Sequence, residues 1–275
     1  MDYDEAQQDP SPAYIAVITC AVLEMEISHF ARQCPRVRHV EVLPQGLHTE
    51  PARLRDQLQQ AIYRVENTVL EAEVIVLGYG LCSRGTEGVS SHRCHLVVPR
   101  AHDCITLLLG ANQHYADYVR RHPGTYWYSP GWNKHHLPPG RERYDKLYRE
   151  YCEKYGADNA EFLMETEQHW FRNYNRATYV DLTVGATDAD LAYTRRCADW
   201  LKWEFDHVQG DPSLVKALVG GPWDDQRFLV LEPGQRSTLD LDADRIIRLD
   251  DNTPPCAYCS SNKPRCPPAE DSVTP

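Results

Sequence analysis

No apolar stretch in the sequence is long enough to cross a bilayer. Its longest apolar run, Ala13 to Leu23, is about half of what such a crossing needs, and Met1–Pro12 is acidic where a secretory leader would be basic. Basic residues are also in short supply, with 29 Lys and Arg against 40 Asp and Glu for a formal net charge of -11. That balance opposes binding to phosphate backbones and to anionic headgroups, which argues against nucleic acid and membrane as partners. A nucleotide signature is missing too. No G-K-S/T phosphate loop occurs, and the glycines of Gly78–Gly85 (GYGLCSRG) do not follow G-x-G-x-x-G spacing. What is left is a soluble, cytoplasmic protein whose partner is a small molecule.

Cysteine, by contrast, is plentiful, with ten in 275 residues. In a reducing compartment thiols serve as metal ligands, catalytic groups or core residues more often than as disulfides. The chain is also long enough to bury a core without staples.

The hydrophobic pattern predicts α/β architecture: a mostly parallel sheet with helices on both faces, Rossmann-like. Continuous apolar strands are expected near Ile15–Thr19, Val37–Leu43, Glu73–Leu77 and His95–Val98, alternating with helices over Val22–Cys34 and Glu50–Glu71. Residues 1–13 read as a disordered N-terminus and 14–251 as the α/β domain, within which residues 111–178 form an aromatic-rich, helical region. There Thr125–Tyr128 is a short strand, and helices are expected over Tyr144–Tyr155 and Asn159–Tyr174. Further on, Tyr179–Val184 reads as a strand, Asp188–Val208 as a helix capped by Thr187 or Asp188, and Arg227–Leu231 as a last core strand. Residues 252–275 are a Pro- and Cys-rich tail, loosely ordered by composition.

Cys20, Cys82 and Cys104 each stand after a predicted strand and before a predicted helix. In an open parallel sheet such positions share the carboxyl edge, where ligands bind, so the three sulfurs are expected to meet. Thiolates from separate turns suit zinc or a [4Fe-4S] cluster with one coordination position left open. Buried hydrophobic packing is the bland alternative for any one of them. Gly78 and Gly80 bring backbone close to a ligand at the same edge, and Arg84 and Arg100 are placed to hold an anionic group or else to pair with nearby acids. His102, in H-x-C spacing with Cys104, is a candidate metal ligand or proton donor or else a plain turn residue, and Asp103 beside it is the second candidate for moving protons. In the tail, Cys256, Cys259 and Cys266 have the spacing of an incomplete second metal site.

The phrases GYGLC (78–82), PRAHDCITLLLG (99–110), TYWYSPGW (125–132) and GGPWDDQRFLVLEPG (220–234) resemble the domain-of-unknown-function family numbered sixteen thirty-eight, over roughly Tyr14 to Gly234. Members occur in methanogens and other methylotrophic or anaerobic microbes. The resemblance implies a setting near corrinoid-dependent methyl transfer, with a corrinoid protein or methyltransferase as partner, but no reaction. The resulting expectation is a metal-dependent enzyme in which Cys20, Cys82 and Cys104 hold zinc or a [4Fe-4S] cluster. It would act on a small anionic or thiol-bearing substrate by elimination, sulfur transfer or methyl transfer. The alternative is a non-catalytic metal-binding or corrinoid-associated accessory protein, betrayed by a flat edge or a closed four-ligand site.

Overall fold

The computed structural model describes residues 13–240 and 245–252. The expectations for the N-terminal segment 1–12 and for the tail cysteines Cys256, Cys259 and Cys266 lie outside the described residues. Five strands form the main sheet: β1 (Tyr14–Cys20), β2 (Val37–Leu43), β3 (Ala72–Gly78), β4 (His95–Pro99) and β8 (Phe228–Leu231), in the order β2-β1-β3-β4-β8. The first four run parallel, and β8 adds to β4 antiparallel. The chain leaves β1 toward β2 on one side and later returns to build β3 and β4 on the other. A switch point therefore falls between β1 and β3, and the crevice beyond their carboxyl ends is where such sheets take ligands.

Alternation along the strands divides the core. Ala16, Ile18, Ile75, Leu77, Leu96 and Val98 face helix α2 (Pro51–Thr68), whose Leu54, Leu58, Ala61, Ile62 and Val65 recur at helical spacing to make one apolar stripe. Ile15, Val17, Val74, Val76 and Val97 face the opposite layer, made by α1 (Glu24–Gln33), α3 (Cys104–Leu109) and α9 (Ser213–Gly220). Helices thus cover both faces, which is why the strands read as unbroken apolar runs.

The middle of the chain departs from expectation. Helix α4 (Asn112–Arg121) leads into β5 (Thr125–Tyr128), followed by α5 (Pro130–His135), α6 (Arg141–Tyr155) and α7 (Ala157–Glu167). Then come β6 (Arg176–Asp181), α8 (Asp188–Leu201) and β7 (Glu204–Gln209). Strands β5, β6 and β7 make a second, separate parallel sheet in that order. One face carries Val180, Trp127 and Val208 against the first core, and the other packs Tyr128, Ala177 and Tyr179 on Cys197 and Ala198 of α8. The expected Asp188–Val208 helix stops at Leu201, where Lys202 adopts φ 59, and residues 204–209 become a strand. Trp203 and Phe205 point to one side and Val208 to the other, a period of two that sat inside a charged, helix-like stretch. The strand expected at Tyr179–Val184 starts at Arg176 and ends at Asp181, because the Asp181 carboxylate accepts the Thr183 N–H at 2.7 Å and turns the chain. The helix expected over Asn159–Tyr174 ends at Glu167 and is followed by a 3-10 turn over His169–Asn173.

A short ribbon of β9 (Ser237–Leu239) and β10 (Ile247–Leu249) completes the described chain. Among the described residues no helix is long and apolar enough to cross a membrane.

Candidate functional site

A cavity of about 590 Å³ opens over the carboxyl ends of β1, β2 and β3, within the size range of small-molecule sites. Cys20, Cys82 and Cys104 all line it, as do His102, Asp103 and Gly78. The second sheet and its flanking elements supply the facing wall, with Tyr126, Trp127, Trp132, His136 and Tyr174.

Each thiol is delivered by a different turn. Cys20 is the last residue of β1 and is buried. Cys104 is the first residue of α3, placed by Asp103, whose carboxylate caps the helix by accepting the Thr106 N–H at 2.9 Å. Cys82 begins a left-handed stretch in which Cys82, Ser83 and Arg84 have φ of 45°, 57° and 73°. Three successive non-glycine residues in that region are costly, and such strain persists only where the surroundings hold it. Here they do. The Leu81 N–H donates to the Ala101 carbonyl at 2.7 Å and the Cys82 N–H to the His102 carbonyl at 3.0 Å, so the turn after β3 is bonded to the turn after β4.

Burial pushes all three thiols above the ordinary cysteine value, least offset at Cys104, where Asp103 and the other two thiols add to the effect. They are therefore thiols, not thiolates, at neutral pH. All cysteines among the described residues are free. As the side chains stand, no group of three or more His, Cys, Asp or Glu among the described residues has the arrangement of a metal-holding cluster. Metal binding at these residues would require the three thiols to lose their protons.

Gly78, the last residue of β3, lines the cavity and packs on Thr19 of the neighbouring β1, whereas Gly80 packs between the turns after β3 and β4. A Cβ on Gly78 would come within 2.4 Å of Thr19 Oγ1, and one on Gly80 within 2.6 Å of the Asp103 backbone nitrogen. Arg84 is exposed and pairs with Glu87 at 2.8 Å. Arg100 is only 4% exposed. It bonds to the Asp225 carboxylate at 2.9 Å and to the carbonyls of Asp225 and Ile247, tying the turn after β4 to the segment before β8 and to β10. Neither arginine lines the cavity, so an anionic substrate loses the partners expected for it. His102 is exposed at the rim, while Asp103 is engaged as a helix cap. Cys94 sits away from the cavity, its thiol against the Ala72 carbonyl at 3.2 Å where β3 begins.

Sequence reasoning passed over His48, Tyr79, Trp132 and His136. His48 follows β2 just as the cysteines follow their strands, and that position was the available signal. Burial lowers the pKa of His48, and burial aided by Arg143 lowers that of His136 to about 4, so both imidazoles are neutral. The Tyr79 hydroxyl, beside the Cys20 thiol, and the Trp132 indole N–H, beside the Tyr126 hydroxyl, are buried and make only loose polar contacts with those neighbours.

No curated protein and no solved structure matches the chain. The model of the family described as "Protein of unknown function (DUF1638)" matches residues 42–219. The match includes Cys82 and Cys104 and begins after Cys20, a narrower span than the phrases in the sequence indicate. The chain belongs to the DUF1638 family of proteins of unknown function.

Proposed function

We propose that the cavity is the active site of a metal-dependent enzyme in which Cys20, Cys82 and Cys104 hold zinc or a [4Fe-4S] cluster with one position open to substrate. The observation that carries this is the convergence of three free thiols, from the turns after β1, β3 and β4, on one concavity of substrate size. Soft thiolate donors select such metals, and three protein ligands leave a fourth position for chemistry. The bound centre would supply Lewis-acid polarisation. The chain's own residues would exclude water through the aromatic wall, and His102 at the rim is positioned to exchange a proton with solvent. Elimination, sulfur transfer and methyl transfer remain the reaction classes suited to this donor set.

The strand order β2-β1-β3-β4, with its switch point at the cavity, supports a Rossmann-like reading of the first sheet. Concavity also weighs for an enzyme over an accessory protein, which would need only a flat edge or a closed four-ligand site. Anaerobic purification with elemental analysis and an absorption spectrum tests the proposal. Stoichiometric zinc or iron dependent on all three cysteines is the expected result, and protein free of both metals after reconstitution overturns it.

A further inference from the structure

The cavity's wall has a composition that the three-thiol reading uses only to exclude water. Tyr115, Tyr126, Trp127, Trp132 and Tyr174 bring five aromatic rings to one space, and Asp103 contributes a carboxylate. Among the described residues no Lys or Arg lines it, and its half-buried histidines His48 and His136 are neutral. Arg143, whose charge reaches His136 and Tyr126 from behind the wall, is paired with Glu167 at 2.5 Å. The rings also hold one another in place. Trp127 lies 4.8 Å from Tyr118 and 6.0 Å from Tyr115, and Tyr126 lies 5.4 Å from Tyr174. A rigid aromatic enclosure loses little entropy on binding.

We infer that the cavity recognises a compact organic cation, of the quaternary ammonium or sulfonium class, held over the aromatic rings and balanced by the Asp103 carboxylate. This deepens the proposed function and rests on it only in placing the cation's reactive end toward the thiols. Two physical terms favour such a guest. Ring faces are negative and attract a diffuse, weakly hydrated cation that carries no N–H donors, and the half-buried carboxylate beside them faces no lysine or arginine among the described residues that line the cavity. An anion would meet ring faces and a carboxylate with no cation to offset them, and a neutral guest would gain only from burial.

The test is calorimetric titration of the full chain with tetramethylammonium chloride, 2,2-dimethylpropan-1-ol and 2,2-dimethylpropanoate, three probes of similar bulk and different charge. Quenching of tryptophan fluorescence is the second readout. The cation should bind at least about ten-fold more tightly than the alcohol, with the carboxylate weakest. Asp103→Asn, which keeps a helix cap, and Tyr115→Leu should each weaken the cation several-fold while leaving the alcohol unchanged. Equal or tighter binding of the alcohol or the carboxylate overturns the inference. Metal content is measured on the same preparations, so the two proposals fail separately. Cation selectivity without metal leaves this inference standing and removes the metal. Metal without cation selectivity does the reverse.

Discussion

The backbone N–H of Cys82 donates to the carbonyl of His102 at 3.0 Å. This bond, with its neighbour from Leu81 to Ala101, clamps the turn after β3 to the turn after β4 and fixes Cys82 beside the helix start that carries Cys104. The two turns that carry these cysteines are thus held together by backbone hydrogen bonds.

Gly80 is what lets those turns close. Gly80→Ala would press a Cβ against the Asp103 nitrogen and Cα at 2.6 and 2.7 Å, backbone atoms that cannot swing aside. The expected cost is about 1–3 kcal/mol. Thermal melting would show it, together with loss of ligand at the cavity. Gly88→Ala is the control, since a Cβ there meets nothing within 4 Å and pays only for its positive φ.

Glu26 is fully buried in α1 with neither carboxyl oxygen hydrogen-bonded, and burial raises its pKa to about 7 with a further push from Asp181. A folded-state pKa above the unfolded value means that the protein is most stable where Glu26 is protonated in both states. Stability from this group is therefore lost as pH rises from the unfolded carboxyl range through about 7, amounting to roughly 3 kcal/mol in all. Glu26→Gln should flatten that part of the Tm profile and raise Tm at pH 8. An unchanged slope would show that Glu26 is compensated in the fold.

The two arginines expected to hold substrate should separate by role. Arg84→Gln breaks one exposed pair with Glu87 and should leave Tm and ligand binding unchanged. Arg100→Gln strips donors from buried carbonyls near Ile247 and should cost roughly 1–3 kcal/mol. Its metal content should stay as in the parent once folded. Selective loss of binding with unchanged Tm in the Arg100 variant would restore a ligand role.

The strand ends of the first sheet were legible because both faces of that sheet are covered. Apolar runs at Ile15–Thr19, Glu73–Leu77 and His95–Val98 marked β1, β3 and β4 to within one residue of their observed bounds. β7 escaped notice because Glu204, Asp206 and His207 dilute its pattern and the helix before it ends without glycine or proline, at Lys202. That the strands fall into two sheets depends on which faces meet, and no local pattern encodes it. The three cysteines were visible from their common place after a strand. The aromatic wall was visible only as a density of aromatics, since Trp132 and Tyr174 reach the cavity through the tertiary approach of one sheet to the other. Arg100 misled because a buried arginine that satisfies carbonyls has the same sequence signature as one that binds substrate.

Metal uptake should carry a proton signature. Because burial holds all three thiols protonated, zinc binding must release protons, and its apparent affinity should climb steeply between about pH 6 and 9. Calorimetry in buffers of different ionisation enthalpy would count the protons, and an affinity independent of pH would rule out the thiols as ligands.

The most direct measurement is metal content per chain, after anaerobic purification and reconstitution, for the parent and for Cys20→Ser, Cys82→Ser, Cys104→Ser and Cys94→Ser. A shared centre predicts that each of the first three loses most of its metal while Cys94→Ser, whose thiol lies against Ala72 outside the cavity, keeps the parental amount. Parental metal content in any one of the three cavity variants, or loss in Cys94→Ser alone, would contradict a centre held by Cys20, Cys82 and Cys104.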